Sequence, residues 1–136
     1  MKGFVLDCSV VIAWLLDDES DAYAEAVKER LEVEEACAPQ VWQLEVCNAL
    51  FSAMRRKRIT VAQAERYVRD LAELNVRIDE GAKSWGPNEV FRLCMSTGLT
   101  SYDASYLELA TRKRLPLATL DKKLRRACGE FGVALA

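Results

Sequence analysis

The hydrophobic pattern of the chain alternates between short apolar runs and longer stretches in which apolar residues recur every three or four positions. A short, uninterrupted apolar run such as FVL at residues 4–6 predicts a strand that is buried in a parallel sheet. Strands that alternate with helices are typical of an α/β fold. The predicted strands are residues 4–6, 36–38, 76–78, 117–120 and 133–135.

The stretches between these runs predict helices, and several carry start or stop signals. Ser9 is placed to cap the first helix, and Thr60 with Gln63 has the spacing of a capping box. Pro87 suits the first turn of a helix that stops before Gly98. The segment after residue 40 is apolar on almost every side for three turns, which predicts a buried helix. The predicted helices are residues 9–16, 20–33, 41–58, 60–74 and 87–97, one that opens at residue 101, and 121–128.

The composition indicates one compact domain over residues 1–136. Hydrophobic residues make up 51% of the chain and charged residues 29%, as in ordinary globular proteins. The formal net charge of -2 gives no overall basic signal for nucleic acid. Because no segment has the length of a membrane span or the pattern of a secretory signal, we expect a cytoplasmic protein that does not associate with membranes.

The absence of histidine removes several kinds of catalysis. It excludes Ser-His-Asp and Cys-His mechanisms and histidine-rich zinc sites. The five cysteines form no CxxC pair and lie in apolar stretches, which indicates core thiols rather than a disulfide framework. Cys8 is a poor candidate nucleophile because the neighbouring carboxylate of Asp7 disfavours a thiolate. Acid–base chemistry is therefore left to carboxylates, lysines, tyrosines, thiols or metal-bound water.

Two aspartates stand immediately after predicted strands. Asp7 interrupts the apolar run GFVLDCSVVIAW, where an uncompensated carboxylate costs several kcal/mol. Asp121 follows the strand predicted at residues 117–120. Ligand sites in open α/β sheets lie beyond the carboxyl ends of the strands, so these two side chains could converge. Taken singly, each is better explained as a helix cap, because Asp is strongly preferred there.

Two further acids lie on predicted helices. Asp103, in LTSYDASYLELA, has capping-box spacing from Thr100, which favours a structural role when it is considered alone. Glu45 is the only charged side chain in residues 40–54, on a helix that is predicted to be buried, so it requires a partner or a cation. Asn48, one turn along the same face, is placed to hold the Glu45 carboxylate by a hydrogen bond.

Considered together, the four acids predict a metal site. They fall on separate elements beside apolar sequence, and no basic residue adjoins Asp7, Glu45 or Asp103. Clustered carboxylates repel one another unless they are protonated or neutralised by cations. Oxygen ligands without histidine or cysteine favour Mg²⁺ or Mn²⁺. One or two such ions could generate hydroxide and clamp a phosphodiester for in-line displacement.

Basic residues occur in three clusters, at residues 55–58, 112–114 and 122–126. The first two fall at predicted helix ends, where positive charge interacts favourably with the helix dipole. The third follows Asp121 directly, where it is placed to contact backbone phosphates that arrive at the acidic pocket.

Four segments resemble the successive motifs of PIN-domain ribonucleases, specifically the VapC-type toxins of prokaryotic toxin–antitoxin pairs. The segments are FVLDCSVVIAWLL, WQLEVCNAL, GLTSYDASYLELA and LPLATLDKKLRRA, and the resemblance covers essentially the whole chain. It implies a single PIN domain with a Rossmann-like α/β/α sandwich and a central parallel sheet of four or five strands. It also implies an endoribonuclease that depends on Mg²⁺ or Mn²⁺ and is commonly a homodimer.

The resemblance also implies roles for individual residues. It makes Asp7 and Asp103 the main metal ligands, with Glu45 and Asp121 completing a catalytic acidic pocket. The residues that the resemblance places in support are Ser9, Asn48 and Thr119. The implied substrate is RNA, cut to leave 5′-phosphate and 3′-hydroxyl ends. The implied partner is a VapB-type antitoxin whose tail covers the active site.

Alternative functions remain open at this point. One is a catalytically inactive PIN-fold module, in which helices 41–58 and 60–74 offer an apolar surface to a partner or a second copy. Another is a PIN nuclease that acts in RNA processing and is not a toxin. A phosphoacceptor regulator that is modified at Asp7 is disfavoured, because Cys8 and Ser9 follow without the second aspartate that such a site needs.

Overall fold

The structure is a computed structural model that describes residues 3–16, 21–80 and 86–136. Within those ranges the chain forms four strands and seven helices. The strands are Phe4–Leu6 (β1), Ala36–Ala38 (β2), Val76–Ile78 (β3) and Leu117–Ala118 (β4). The helices are Cys8–Leu15 (α1), Ala22–Arg30 (α2), Val41–Arg55 (α3), Val61–Ala72 (α4), Pro87–Thr97 (α5), Ser101–Lys113 (α6) and Lys122–Glu130 (α7).

All strand pairs in the sheet are parallel, and the strand order is β3-β2-β1-β4. The chain places β2 and β3 on one side of β1 and then returns to place β4 on the other side. This reversal creates a topological switch point between β1 and β4, where open α/β sheets bind ligands beyond the carboxyl ends of the strands. The predicted α/β/α sandwich around a parallel sheet is confirmed, and the sheet has four strands.

The prediction of a last strand at residues 133–135 is wrong. This segment makes only an isolated parallel bridge, between Leu135 and Leu117. The strand predicted at residues 117–120 is also too long, because β4 ends at Ala118 and Thr119 belongs to the turn that follows. A strand of two residues offers few backbone groups for a fifth strand to pair with.

The hydrophobic core surrounds β1 and α6. Phe4, Val5 and Leu6 have no exposed surface, as expected for the short apolar run of an inner strand. Helix α6 contacts β1, β4, α5 and α7, and most of its residues between 104 and 110 are buried. Its Tyr106 is the largest fully buried side chain among the described residues. The core therefore lies directly beneath the carboxyl edge of β1.

Helix α3 is buried on one face only, so the prediction of burial on all sides is wrong. Trp42 and Val46 are 5% and 2% exposed, whereas Leu44 and Phe51 on the outer face are 74% and 52% exposed. Helix α4 packs beside α3, yet none of its described residues is buried. The apolar outer surface of α3 is therefore covered only in part.

The predicted helix starts meet different outcomes. The capping box of Thr60 and Gln63 is confirmed, with both reciprocal hydrogen bonds formed. The prediction that Ser9 caps α1 is wrong, because Asp7 occupies the N-cap position and Ser9 lies in the first turn. The predicted start of the second helix at residue 20 lies outside the described residues.

The five cysteines lie in different environments. All five cysteines are free, but the prediction that they are core thiols is wrong for Cys47, which is exposed, and only Cys128 is fully buried. In the described ranges, no helix combines the length and the apolar character that crossing a bilayer would require.

Candidate active site

Asp7 lies at the carboxyl end of β1 and is 4% exposed. One of its oxygens, Oδ2, accepts hydrogen bonds from Ser9 Oγ at 2.6 Å and from Thr119 Oγ1 at 2.7 Å. Hydrogen bonds to an ionised group offset part of the penalty of removing it from water. The two hydroxyls therefore hold the Asp7 carboxylate in place.

The same two hydroxyls connect the turn after β1 to the turn after β4. Ser9 Oγ also accepts the N–H of Leu120 at 3.0 Å, and Thr119 Oγ1 accepts the N–H of Asp121 at 3.0 Å. The N–H of Asp7 donates to the carbonyl of Ala118 at 3.0 Å. Because each hydroxyl contacts both turns, Asp7 and Asp121 are brought to one edge of the sheet, as the parallel topology predicted.

Asp121 is the N-cap of α7, which confirms its structural role. Its Oδ1 accepts the N–H of Leu124 at 2.9 Å. The aspartate also acts electrostatically on other acids, since its charge raises the pKa of both Asp7 and Asp103. The cap and the charged pocket are therefore compatible functions of one residue.

Glu45 and Asp103 approach the same edge from α3 and α6. Glu45 is half-buried, and its Oε1 accepts a hydrogen bond from Tyr106 Oη at 2.5 Å. Asp103 lies in the first turn of α6, where its N–H donates to Thr100 Oγ1 at 3.2 Å, so Thr100 caps the helix as predicted. The pocket thus draws its acids from two strand ends and two helices.

The pKa values of three acids are raised from their ordinary values. Burial is the main cause for Asp7, and its hydrogen bonds from Ser9 and Thr119 counter it only in part. Burial also raises the pKa of Glu45, to which the charges of Asp7 and Asp103 add. The pKa of Asp103 is raised mainly by burial and further by the charges of Asp121 and Asp7. The four carboxylates are therefore close enough to repel one another.

The chemistry of these donors fits a divalent metal ion. Among the ion pairs formed by described residues, none includes one of the four acids, although the charge of Lys123 lowers the pKa of Asp103. Across the described ranges, no three acidic or thiol side chains stand in an arrangement that closes around a metal ion. Mg²⁺ commonly uses one or two carboxylates and completes its shell with water and substrate phosphate. A spread set of carboxylates is therefore compatible with such an ion.

One predicted contact is replaced by another. Asn48 was expected to hold Glu45, but the carboxylate is held by Tyr106, and Asn48 lies exposed on α3. Tyr106 is not among the predicted site residues, because its apolar neighbours are typical of an ordinary core residue. Its spacing could have revealed it, since it follows Asp103 by three positions and so shares a helix face with that acid.

The Cys8 thiol is unsuited to nucleophilic attack in this surrounding. Burial, followed by the charges of Asp7 and Glu45, raises the pKa of Cys8 far above its ordinary value. A thiol that does not ionise is a weak nucleophile. The carboxylates therefore remain the reactive groups of the pocket.

Comparison with known proteins gives a family. The model of the PIN domain matches residues 4–130, so the chain belongs to the PIN domain family. That family is generally one of nucleases. A comparison with curated protein sequences finds no match.

Several solved structures share the fold. A crystal structure of PAE2754 from Pyrobaculum aerophilum is 26% identical, with a TM-score of 0.71 over 92% of this chain and 84% of that one. A toxin–antitoxin complex from Klebsiella pneumoniae is 18% identical, with a TM-score of 0.60 over 88% of each chain. VapBC2 from Rickettsia felis, bound to a DNA fragment from its promoter, is 12% identical, with a TM-score of 0.68 over 99% of this chain and 98% of that one.

Proposed function

We propose that this PIN-domain protein is an endoribonuclease that depends on Mg²⁺ or Mn²⁺ and cleaves RNA phosphodiester bonds. The observation that carries the proposal is Asp7, a carboxylate 4% exposed whose charge interacts with Glu45, Asp103 and Asp121. Clustered carboxylates repel one another unless they are protonated or neutralised, and a divalent cation held for nuclease chemistry would neutralise them.

The four acids have different roles in the proposed site. Asp7 and Asp103 would hold the ion, and Glu45 and Asp121 would complete the negative pocket around it. A bound divalent ion of this kind polarises a phosphodiester and supports hydrolysis at neutral pH. Ser9 and Thr119 fix the orientation of the Asp7 carboxylate, and Tyr106 fixes that of Glu45. The groups that meet the substrate are therefore preorganised by the fold.

We further propose that the protein is the toxin of a toxin–antitoxin pair, with a VapB-type antitoxin as its partner, in the cytoplasm. One structural relative is described as a toxin–antitoxin complex, and another is VapBC2. A cavity of about 520 Å³ between α3 and α4 supports a partner interaction. This α3–α4 groove is lined mainly by apolar side chains, of which Phe51, Val61 and Val68 are 52%, 57% and 49% exposed. Exposed apolar surface of this kind marks interaction sites.

The same groove supports a second candidate function. A catalytically inactive PIN-fold module would also use an apolar face to bind a partner or a second copy, and a homodimer would bury it equally well. A PIN nuclease of RNA processing would need the acid pocket without an antitoxin. The three candidates differ in whether RNA is cleaved and whether expression stops growth.

Cleavage by an acid-to-amide variant tests the proposal directly. Asp7→Asn keeps the size and the hydrogen-bond acceptor of the side chain but removes its charge. We expect the rate of RNA cleavage in the presence of Mn²⁺ to fall about 100- to 1,000-fold, because a charge at the reacting centre is lost. Single-turnover cleavage of a labelled RNA measures the rate.

A matched control is Asp21→Asn, which changes the same functional group at the N-cap of α2. Asparagine is an equally good cap, so this variant should cleave RNA like the wild type. Equal rates for Asp7→Asn and the wild type would remove the assigned mechanism. No cleavage by the wild type with either ion would favour the binding module.

A further inference from the structure

A polar stripe runs along α3 away from the acid pocket. Starting from Glu45, side chains three, seven, ten and eleven positions later fall on one side of the helix, because an α-helix repeats every 3.6 residues. We call them the α3 stripe, and they are Asn48, Ser52, Arg55 and Arg56. With Phe51 they line one open cavity of about 460 Å³. The stripe is separate from the buried face of α3, which carries Val46 and Leu50.

The charge of the stripe complements a polyanion. Arg55 and Arg56 are exposed, and neither takes part in an ion pair among the described residues. The guanidinium of Arg55 lies over the ring of Phe51, 5.6 Å from its centroid. A helix end explains a favourable position for one cation. It does not explain an amide, a hydroxyl, two guanidinium groups and an exposed aromatic ring that share one cavity.

The stripe begins one turn along α3 from Glu45, an acid of the candidate active site. Arg55 follows Glu45 by ten positions, which corresponds to about 15 Å along the helix axis. That distance matches a few nucleotides of a single strand. Strands of this kind are bound by cationic grooves that follow the backbone, with aromatic rings on which bases stack.

We propose that the α3 stripe binds the RNA strand that flanks the cleaved bond. Arg55 and Arg56 contact backbone phosphates, Asn48 and Ser52 donate hydrogen bonds to phosphate or sugar oxygens, and Phe51 stacks against a base. These contacts position the strand without reading its sequence. The proposal rests on the proposed function, because it takes its RNA substrate from the acid pocket.

The test measures RNA binding separately from cleavage. All proteins carry Asp7→Asn and are kept free of divalent ions, and fluorescence anisotropy follows a labelled single-stranded RNA of about 12 nucleotides. We expect Arg55→Ala with Arg56→Ala to weaken binding roughly tenfold at physiological salt. The slope of log affinity against log salt should become shallower by about 1.4, as two phosphate contacts are lost.

Two further variants make the comparison specific. Arg66→Ala with Arg92→Ala removes the same charge from exposed positions on α4 and α5, and it should change affinity by less than about twofold. Arg55→Lys with Arg56→Lys keeps the charge and should restore most of the affinity. Equal melting temperatures exclude a loss of folding as the cause.

Three results would overturn the proposal. They are equal losses in the two alanine pairs, an unchanged salt slope in the α3 pair, and no measurable RNA binding by the Asp7→Asn parent. Cleavage by the protein with its native Asp7 is a separate measurement. If the wild type cleaves RNA and the α3 alanine pair leaves affinity and KM unchanged, the stripe fails while the proposed nuclease function stands. If the parent binds through the stripe and the wild type does not cleave, the proposed nuclease function fails alone.

Discussion

The acid pocket and the α3–α4 groove depart from the usual distribution of side chains in opposite ways. In the pocket, Asp7 carries a charge at a position that is 4% exposed. In the groove, Phe51 and Val68 present apolar surface to water, at 52% and 49% exposure. Folding alone favours apolar residues inside and charged residues outside. Both regions therefore reflect requirements other than the stability of the fold.

The two regions also differ in their effect on the free energy of folding. The repulsion of the pocket carboxylates opposes folding, and a cation that binds the folded state relieves it. The exposed apolar side chains of the groove contribute little to folding, since they remain in contact with water. We therefore expect a bound ion to stabilise the pocket. The groove should contribute to stability only when a partner covers it.

The largest expected effect distinguishes buried from exposed leucines. Leu107 in α6 has no exposed surface, and Leu44 on the outer face of α3 is 74% exposed. Leu107→Ala should lower the free energy of unfolding by about 2–5 kcal/mol. Leu44→Ala should change it by less than about 0.5 kcal/mol. Urea unfolding measures both, and a large loss in Leu44→Ala would show that the outer face of α3 is covered in the free protein.

Addition of an ion should stabilise the pocket. At a concentration of 100 times its dissociation constant, Mn²⁺ should add about 2.7 kcal/mol to the free energy of unfolding. For a domain of this size, that corresponds to a rise in Tm of about 8 °C. Asp7→Asn should lose most of this rise and Asp21→Asn should keep it. Equal shifts in both variants would place the ion elsewhere.

The pH dependence of stability should differ between the wild type and Asp7→Asn in the absence of divalent ions. Because the pKa of Asp7 is raised in the fold, its favourable contribution is present below the unfolded value, near 3.8, and is lost as pH rises through the folded value. Asp7→Asn has no such loss. The Tm of the variant minus that of the wild type should therefore increase with pH from about 4 and then level off.

Thermal unfolding between pH 4 and pH 8 measures that difference. A difference in Tm that stays constant, or that decreases with rising pH, would contradict the raised pKa of Asp7. Asp21→Asn again serves as the control, and its difference from the wild type should not follow the same curve.

The smallest effect on stability is expected at the groove. Val68→Asp places a charge on an exposed apolar position of α4, so the free energy of unfolding should change by less than about 0.5 kcal/mol. RNA cleavage should be unchanged. In cells whose growth is arrested by the wild type and restored by a co-expressed antitoxin, the variant should arrest growth without relief. Full relief would exclude the α3–α4 groove as the partner site.

The sequence predicted the features that depend on local pattern. Strands β1 and β2 follow from short apolar runs, and β3 follows from two β-branched residues on either side of Arg77. The caps at Thr60 and Asp121 follow from side chains that bond to nearby N–H groups. The prediction that Asp7 and Asp121 share one edge of the sheet also succeeded, because parallel strands fix that edge.

The features that failed depend on tertiary contacts. Ser9 has the side chain of a helix cap, but its hydroxyl is used by Asp7 and by the N–H of Leu120, a residue 111 positions away. Asn48 does not make its expected contact with Glu45. The hydroxyl of Tyr106, on another helix, donates to the Glu45 carboxylate instead. Periodicity describes one element at a time, so it cannot show which side chain of a neighbouring helix contacts a given residue.

Diffraction from crystals that contain Mn²⁺ can locate the ion. We propose that acids distant in sequence share one divalent cation at the carboxyl edge of the sheet. We predict an anomalous scattering peak in contact with both Asp7 and Asp103 in the wild type and no such peak in Asp7→Asn. A wild-type map without a peak there, at an Mn²⁺ concentration that supports RNA cleavage, would contradict the account.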